Sequence, residues 1–242
     1  MASQRGKPLF KQYTRKYGDR LRAARADGQT PWRRCLAWFE ALFVDHGVFR
    51  LLFWNKRKVS DRLWRGAQPH PWQVRALGRQ GFRTIVNLRG PRDCATYLFE
   101  KQAAAEGGIR LVDFVMTSRE PPSAERLHAL KDLFASIDYP ALIHCKSGAD
   151  RAGITAALYL LVHEGRPAEE AKRQLALKYG HIAQGRTGVL DHFLDAYIKA
   201  RDADGIDFWT WVDTAYDPVA LRGEFQAGMI GNLIVDRLLR RE

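Results

Sequence analysis

The stretch Ala141-Leu-Ile-His-Cys-Lys-Ser-Gly-Ala-Asp-Arg-Ala-Gly153 joins a short apolar strand to a helix through a loop of small residues. A loop that leads into a helix N-terminus points several backbone N–H groups inward, which makes a nest for an anion. Gly148 lets this loop turn inward without a side chain in the way. The stretch therefore predicts a strand–loop–helix unit that holds an anion between its strand and its helix.

Two side chains of this loop have the chemistry to react with a phosphate. Cys145 lies inside the nest, where backbone N–H groups would stabilise a thiolate nucleophile. Arg151 follows after five intervening residues, and its planar guanidinium can hold two oxygens of one phosphate. The pattern predicts a site that receives a tetrahedral dianion and attacks its phosphorus.

Strands and helices alternate on the N-terminal side of this unit. Strands are predicted at 63–67, 82–89, 109–115 and 141–144. Helices are predicted at 71–78, 93–106, 123–137 and 152–163. This order predicts an α/β fold with a mostly parallel central sheet flanked by helices. After Pro167 the pattern predicts only helices, at 167–179, 188–200, 206–214 and 228–240.

The positive charge of the chain is concentrated in its N-terminal part. The 242 residues contain 39 Lys and Arg against 27 Asp and Glu, which gives a net charge of +12. Residues 1–58 hold 14 basic and 4 acidic side chains, whereas residues 59–242 hold 25 and 23. Such a surplus attracts nucleic acid, an anionic membrane or an acidic protein, and composition does not choose among them.

Residues 10–24 and 32–43 carry apolar side chains at spacings of three and four, with basic side chains between them. They predict two amphipathic, aromatic-rich helices. The helices either pack on the rest of the chain or lie on an anionic membrane surface, as basic aromatic segments do. Nucleic-acid binding is the third interpretation, and no groove-reading motif supports it.

The composition also bounds the class of protein. Apolar residues at 46% and aromatic residues at 11% suffice for a buried core, so disorder throughout is excluded. Three cysteines do not make a disulfide scaffold and favour a reducing compartment. We find no secretory signal and no apolar run long enough to span a membrane. A cytoplasmic protein is expected, with peripheral association at the inner face of the membrane as a further expectation.

The segment from His144 to Gly153 resembles the signature of the cysteine-dependent protein tyrosine phosphatase superfamily, in its compact dual-specificity branch. The resemblance covers about residues 60–200. Val86-Asn-Leu-Arg89 resembles the strand end near the active site of bacterial and of plant and fungal members. The resemblance implies a phosphatase domain at 59–200. Together with the charge distribution, it predicts a basic helical extension at 1–58 and a C-terminal helical extension at 201–242 that packs on the domain.

By this resemblance Cys145 attacks phosphorus and forms a cysteinyl-phosphate, while Arg151 binds the phosphate and stabilises the transition state. His144 orients the loop and supports the thiolate. Water then hydrolyses the intermediate, and neither a metal nor another cofactor is needed. The residues expected to bind the substrate are His144, Lys146, Ser147, Gly148, Ala149 and Arg89.

Three carboxylates are candidates for the general acid that protonates the leaving oxygen. Asp150 occupies a loop position where myotubularins, Sac-type and bacterial atypical lipid phosphatases have a proposed acid. Asp113 lies 32 residues before Cys145, a typical family spacing, but inside a predicted strand. Glu120 lies in the loop that corresponds to the family's mobile acid loop. The sequence leaves the choice among the three open.

Two further positions bear on the chemistry. The family usually has Ser or Thr after the arginine, and here Ala152 stands there. Either Ser147 or Thr155 replaces that hydroxyl, or the cysteinyl-phosphate breaks down slowly, and slow breakdown is our hypothesis. Cys94 is either an inert thiol or, as in several family members, a partner for a protective disulfide with the nucleophile.

The resemblance also favours a substrate class. Lys146 and Asp150 match residues in the loops of lipid phosphatases, and the basic segment 1–58 fits an anionic membrane. The expected substrate is therefore a lipid or lipid-linked phosphate. A phosphotyrosine protein and a soluble inositol or other small phosphate are the alternatives. A non-catalytic phosphate-binding module is the alternative from another class of function.

Overall fold

The computed structural model describes residues 38–39 and 54–239. The basic extension predicted for residues 1–58 lies almost entirely outside the described residues. Within it, Trp38 and Phe39 are helical. The indole of Trp38 stacks on Trp72 at 6.0 Å and on Phe99 at 4.8 Å between ring centroids. At least one aromatic side chain of the extension therefore packs on the rest of the chain.

Five strands form one sheet, at Arg57–Lys58 (β1), Leu63–Ala67 (β2), Thr84–Asn87 (β3), Arg110–Asp113 (β4) and Ala141–Cys145 (β5). Their order across the sheet is β1-β2-β5-β3-β4. Only the edge pair β1–β2 is antiparallel, while the other neighbouring pairs are parallel. The predicted fold class, a mostly parallel sheet flanked by helices, is confirmed.

The described α-helices are Pro71–Arg79 (α1), Ala95–Glu106 (α2), Ala124–Ser136 (α3), Asp150–Leu158 (α4), Ala168–Lys172 (α5), Val189–Asp204 (α6), Phe208–Thr214 (α7) and Pro218–Leu239 (α8). A π-helical turn, Tyr159–His163, continues α4, and 3₁₀ turns lie at Leu177–Tyr179 and Arg186–Gly188. Within the described part of the chain, no helix combines the length and the apolar character that a membrane span requires.

The two faces of the sheet carry two hydrophobic clusters. The smaller cluster lies under α1 and α2 and includes Val74, Leu77 and Ala103. The larger cluster lies under the remaining helices and includes Ile143 of β5 and Phe193 of α6. The C-terminal helices contribute the buried side chains Phe208, Trp211, Val212 and Leu221 to it. Each fully buried side chain of this size contributes about 2 kcal/mol, so α7 belongs to the folded domain.

Two of the helices predicted after Pro167 differ from the structure. The helix expected at 167–179 ends at Lys172, because Gln174 turns its main-chain oxygen and its amide toward a buried arginine of β2. The helix expected at 228–240 begins at Pro218 instead. Asp217 accepts hydrogen bonds from the backbone of Val219 and Ala220, which makes Asp217-Pro218 a helix start.

The register brings the carboxyl ends of the strands to one edge. Asn87 at the end of β3 lies opposite His144 on one side and Asp113 on the other. Cys145 lies opposite Ala67 at the end of β2. Ligands of parallel α/β sheets bind at this edge, and the anion nest predicted from the sequence lies here.

Candidate active site

The loop between β5 and α4 forms a cradle around the sulfur of Cys145. The Sγ atom accepts a hydrogen bond from the backbone N–H of Gly148 at 3.3 Å, and only 2% of the side chain is exposed. Gly148 has φ +77°, and a Cβ there would lie 2.6 Å from the carbonyl carbon of Gly66. Glycine is therefore required on two counts, the backbone conformation and the close approach of β2.

Arg65 of β2 supports the cradle from below, a role that the sequence analysis did not assign. Its Nη2 donates to the main-chain oxygens of Gly148 and Ala149, both at 2.7 Å. Its Nη1 donates to the main-chain oxygen of Gln174 at 2.5 Å. By holding these carbonyls outward, the guanidinium leaves the amides of the loop directed toward the anion site.

The charge of Arg65 also acts on the site. Burial lowers the pKa of Arg65 to about 10, and its attraction to the nearby Cys145, Tyr179 and Asp150 opposes that shift. The side chain is therefore protonated at neutral pH although it is fully buried. A fixed positive charge therefore lies beneath the cradle.

A buried polar network lies behind the strand end. His144 Nε2 lies 2.7 Å from Glu100 Oε1, and both side chains are fully buried. Glu100 Oε2 accepts a hydrogen bond from Gln68 at 2.7 Å, and Gln68 in turn accepts one from Arg89. His144 thus has a fixed ring orientation. Arg89, expected to bind substrate, is a buried donor to Gln68.

Asp150, at the start of α4, belongs to a second buried network. Its Oδ1 lies 2.7 Å from His181 Nδ1, and His181 Nε2 lies 2.6 Å from Asp191 Oδ2. Burial alone would lower the pKa of His181, but the hydrogen bonds to Asp150 and Asp191 outweigh it and raise the pKa to about 9. At neutral pH His181 is therefore a buried cation between two carboxylates, and it anchors α4 to α6.

Arg151 faces a loop on the other side of the cradle. The half-buried Arg151 and residues 116–120 line one cavity of about 370 Å³. Glu120 therefore lies on the wall of the cavity that contains the predicted phosphate-binding arginine. Glu120 Oε1 also accepts a hydrogen bond from Arg222 of α8 at 2.8 Å. The cavity has room for a phosphate between Arg151 and this loop.

Asp113 occupies a different position. It is exposed at the end of β4, where Asn87 donates to its Oδ1 at 2.8 Å and Tyr97 donates to its Oδ2 at 2.5 Å. Burial and the contact with Asp113 raise the pKa of Tyr97 to about 12, so the phenol remains a donor. The structure thus gives the three candidate acids three environments: an ion pair with His181, an exposed strand end and a cavity wall.

The other predicted residues are distributed around the cradle. Lys146 is half-buried, Ser147 is exposed and Ala149 is buried. The main-chain oxygen of Ser147 accepts a hydrogen bond from Asn55 Nδ2 at 3.2 Å. Ala152 and Thr155 are fully buried in α4, and the Thr155 hydroxyl has no hydrogen-bond partner among the described residues.

Cys94 precedes α2 at its N-cap position. Its Sγ lies 3.3 Å from Thr96 Oγ1, and Cys94 and Cys145 are both free thiols. In the described part of the chain, no group of three or more His, Cys, Asp or Glu side chains is arranged to hold a metal ion. The sequence analysis left two roles for Cys94, an inert thiol or a disulfide partner of Cys145, and that choice stays open.

Residues 53–187 match the family model described as DSP-PTPase phosphatase fused to NAD+ kinase. The dual specificity protein phosphatase TpbA of Pseudomonas aeruginosa is 28% identical over 181 residues, which cover 74% of this chain and 73% of TpbA. A crystal structure of TpbA is 27% identical in sequence to this chain and superposes with a TM-score of 0.47. The match covers 62% of this chain and 87% of the TpbA chain.

A second crystal structure, of TpbA in complex with pTyr, has 25% identity and a TM-score of 0.49. The match covers 67% of this chain and 92% of that chain. The family model spans more than half of the 242 residues and contains the whole cradle. The chain therefore belongs to the DSP-PTPase family of that model, and it is a cysteine-dependent phosphatase.

Proposed function

We propose that this phosphatase hydrolyses the phosphomonoester of a membrane lipid or lipid-linked molecule, through a cysteinyl-phosphate on Cys145. The observation that carries the chemistry is the cradle, in which Arg65 holds the loop carbonyls and the Gly148 N–H donates to Cys145 Sγ. The membrane part of the proposal rests on the surplus of basic residues in segment 1–58.

In the proposed reaction the Cys145 thiolate attacks phosphorus, and the bond from phosphorus to the leaving oxygen breaks. The guanidinium of Arg151 and the backbone amides of residues 146–151 bind the phosphoryl oxygens and stabilise the charge that develops on them. Water then attacks the phosphorus of the cysteinyl-phosphate. This second step releases inorganic phosphate and restores the thiolate.

We assign the general acid to Glu120. Its carboxylate shares a cavity wall with Arg151, where a leaving oxygen would lie. Asp150, in contrast, does not line this cavity, and its Oδ1 lies 2.7 Å from the buried His181. Asp113 does not line this cavity either, and its two carboxylate oxygens accept hydrogen bonds from Asn87 and Tyr97.

Leaving groups of different basicity test this assignment. An alkyl phosphate needs a proton on its leaving oxygen, whereas p-nitrophenyl phosphate does not. We expect Glu120→Gln to lower kcat/KM, which reports formation of the cysteinyl-phosphate, about 100-fold with the alkyl phosphate and only a fewfold with the aryl phosphate. Asp150→Asn should lower both rates equally. If Asp150→Asn instead shows the dependence on the leaving group, Asp150 is the acid.

The membrane part is tested in the full chain with variants in which basic side chains are replaced by neutral ones. Vesicles containing an anionic lipid are mixed with wild type and with a triple variant in which Lys11, Arg15 and Lys16 are replaced by Gln. Each basic residue near an anionic surface contributes about 1 kcal/mol, so we expect vesicle binding to fall about 100-fold. Hydrolysis of a lipid phosphate in the vesicles should fall in parallel.

The matched control removes three exposed basic residues of the domain, Arg79, Arg83 and Lys101. It has the same change of net charge and should keep its vesicle binding. If both triple variants bind the vesicles equally well, the basic residues of segment 1–58 do not bind the anionic membrane surface. Cys145→Ser controls for contaminating phosphatases in every assay.

A phosphotyrosine protein is the alternative substrate. It is supported by the similarity to TpbA, whose name is dual specificity protein phosphatase. A panel of phosphotyrosine peptides, assayed beside the lipid phosphates, distinguishes the two substrate hypotheses. A kcat/KM for any peptide that exceeds the best lipid value by tenfold or more would favour the alternative.

A further inference from the structure

A second cavity adjoins the one that contains Arg151. Its volume is about 550 Å³, which lies in the range of small-molecule sites. Arg119 and Glu120 line both cavities, so the two lie side by side at the loop at 117–122. A molecule whose phosphate lies against Arg151 therefore has room to extend past Glu120 into the second cavity.

The second cavity combines positive charge with an apolar wall. Three arginines line it, Arg119, Arg186 and Arg222, together with the side chains of Val189, Phe225 and Met229. Arg222 is paired with Glu120 at 2.8 Å. Neither Arg119 nor Arg186 has an ion pair or a side-chain hydrogen bond with any described residue. Two guanidinium groups are thus available to an anionic ligand, beside a surface that suits an apolar group.

The cavity depends on a part of the chain outside the family match. Arg222, Phe225 and Met229 belong to α8, whereas the match ends at residue 187. Two contacts fix this helix and its approach to the loop at 117–122. Arg222 pairs with Glu120, and the Tyr216 hydroxyl donates to the oxygen of Pro122 at 2.7 Å. The C-terminal extension therefore shapes the space next to the catalytic cavity.

We propose that Arg119 and Arg186 bind a second anionic group of the lipid substrate, while Phe225 and Met229 contact the start of its apolar chain. The substrate class is then a lipid whose headgroup carries a phosphomonoester and a second acidic group, such as a phosphodiester. This inference rests on the proposed lipid function. A guanidinium binds phosphate oxygens with two parallel hydrogen bonds, which gives the site its selectivity.

Two short-chain lipids test the inference with the full chain and without a membrane. Dihexanoyl phosphatidic acid has the scissile phosphate as its only anionic group. Dihexanoyl phosphatidylglycerol phosphate adds a phosphodiester. The quantity measured is the ratio of kcat/KM for the second lipid to that for the first. The enzymes are wild type, Arg186→Gln and a control, Arg83→Gln, which removes an exposed arginine at the opposite end of β3.

We expect wild type to prefer the lipid with two anionic groups by tenfold or more, and Arg186→Gln to lower this ratio about tenfold. Arg83→Gln should keep the wild-type ratio. Equal rates for the two lipids in wild type, or an unchanged ratio in Arg186→Gln, would overturn the inference while leaving the lipid function in place. If p-nitrophenyl phosphate is hydrolysed and neither lipid is, the lipid function itself is wrong and the inference falls with it.

Discussion

The two sides of the catalytic cavity are built differently. On the cradle side, buried groups hold every turn of the loop: Arg65 beneath it, the His144–Glu100 pair behind it and the His181 network at the start of α4. On the opposite side, the loop at 117–122 is held by the exposed pair of Glu120 with Arg222 and by Tyr216. In the proposed binding mode, the phosphate contacts the side held by buried groups, and the rest of the substrate contacts the side held by exposed ones.

This difference separates chemistry from selectivity. Electrostatic stabilisation of a transition state requires donors that are fixed before the substrate arrives, and buried networks provide such fixation. Selectivity among substrates requires contacts with groups that differ from one substrate to another. In this chain the proposed contacts lie beside α8, a helix outside the matched family region. Arg65, His181 and Arg222 should therefore stabilise the fold to different degrees, the buried side chains more than the exposed one.

Arg65→Lys should have the largest effect. A lysine keeps the positive charge but cannot donate to the oxygens of Gly148, Ala149 and Gln174 together. Leaving buried carbonyls without donors costs about 1–3 kcal/mol each, so we expect the free energy of unfolding to fall by about 4 kcal/mol. Urea unfolding measures the loss, and phosphatase activity of the folded fraction should fall at least tenfold.

Arg110→Lys is the matched control for this variant. Arg110 also donates to a main-chain oxygen, that of Ser136, but at the exposed surface. Its replacement should change the free energy of unfolding by less than about 0.5 kcal/mol. If the two variants lose similar stability, Arg65 does not support the cradle as described.

His181→Gln should have the next largest effect, and it should depend on pH. Because the pKa of His181 is raised from 6.5 to about 9, the folded state binds its proton more tightly than the unfolded state. The stabilisation is fully present below pH 6.5 and is lost as the pH rises through 9. A shift of this size corresponds to roughly 3 kcal/mol.

The measurement is the free energy of unfolding at pH 6 and at pH 10. From pH 6 to pH 10, the free energy of unfolding of wild type should fall by roughly 3 kcal/mol more than that of His181→Gln. His128→Gln is the control, because His128 pairs with Asp213 at the exposed surface. A wild-type profile that runs parallel to that of His181→Gln would show that the network is not charged as inferred.

Arg222→Gln should have the smallest effect on stability. Its pair with Glu120 is about half exposed on both sides, and such pairs contribute less than about 1 kcal/mol. Arg75→Gln, which breaks the exposed pair of Arg75 with Glu106, is the control and should lose a similar amount. A loss above about 2 kcal/mol for Arg222→Gln would mean that the two sides of the cavity are held equally firmly.

The cradle could be predicted from the sequence because its parts are contiguous. A strand, a glycine at a fixed place and the Cys-x5-Arg spacing specify local geometry that later folding does not alter. The five described strands and the mostly parallel sheet followed in the same way from alternating patterns, except for β1, which has only two residues. The helix start at Asp217-Pro218 also has a local signal, an Asp followed by a Pro, although the pattern predicts a helix only from residue 228.

The supports could not be predicted, because their partners are far apart in the chain. Arg65 and Gln174 are 109 residues apart, and His181 and Asp150 are 31 apart. One signal was available: a charged residue inside the apolar strand Leu63–Ala67 must find buried partners. The sequence did not show which partners, and the second cavity depends on how α8 packs, which no motif encodes.

The central claim is that Cys145 takes up the phosphoryl group, and rapid quenching tests it most directly. Ala152 supplies no hydroxyl after Arg151, so breakdown of the cysteinyl-phosphate should limit turnover. We predict a burst of the leaving alcohol before steady state, equal to the enzyme concentration, with phosphate found on the Cys145 peptide by mass spectrometry. Turnover by wild type with no burst and no phosphate on that peptide would contradict the account.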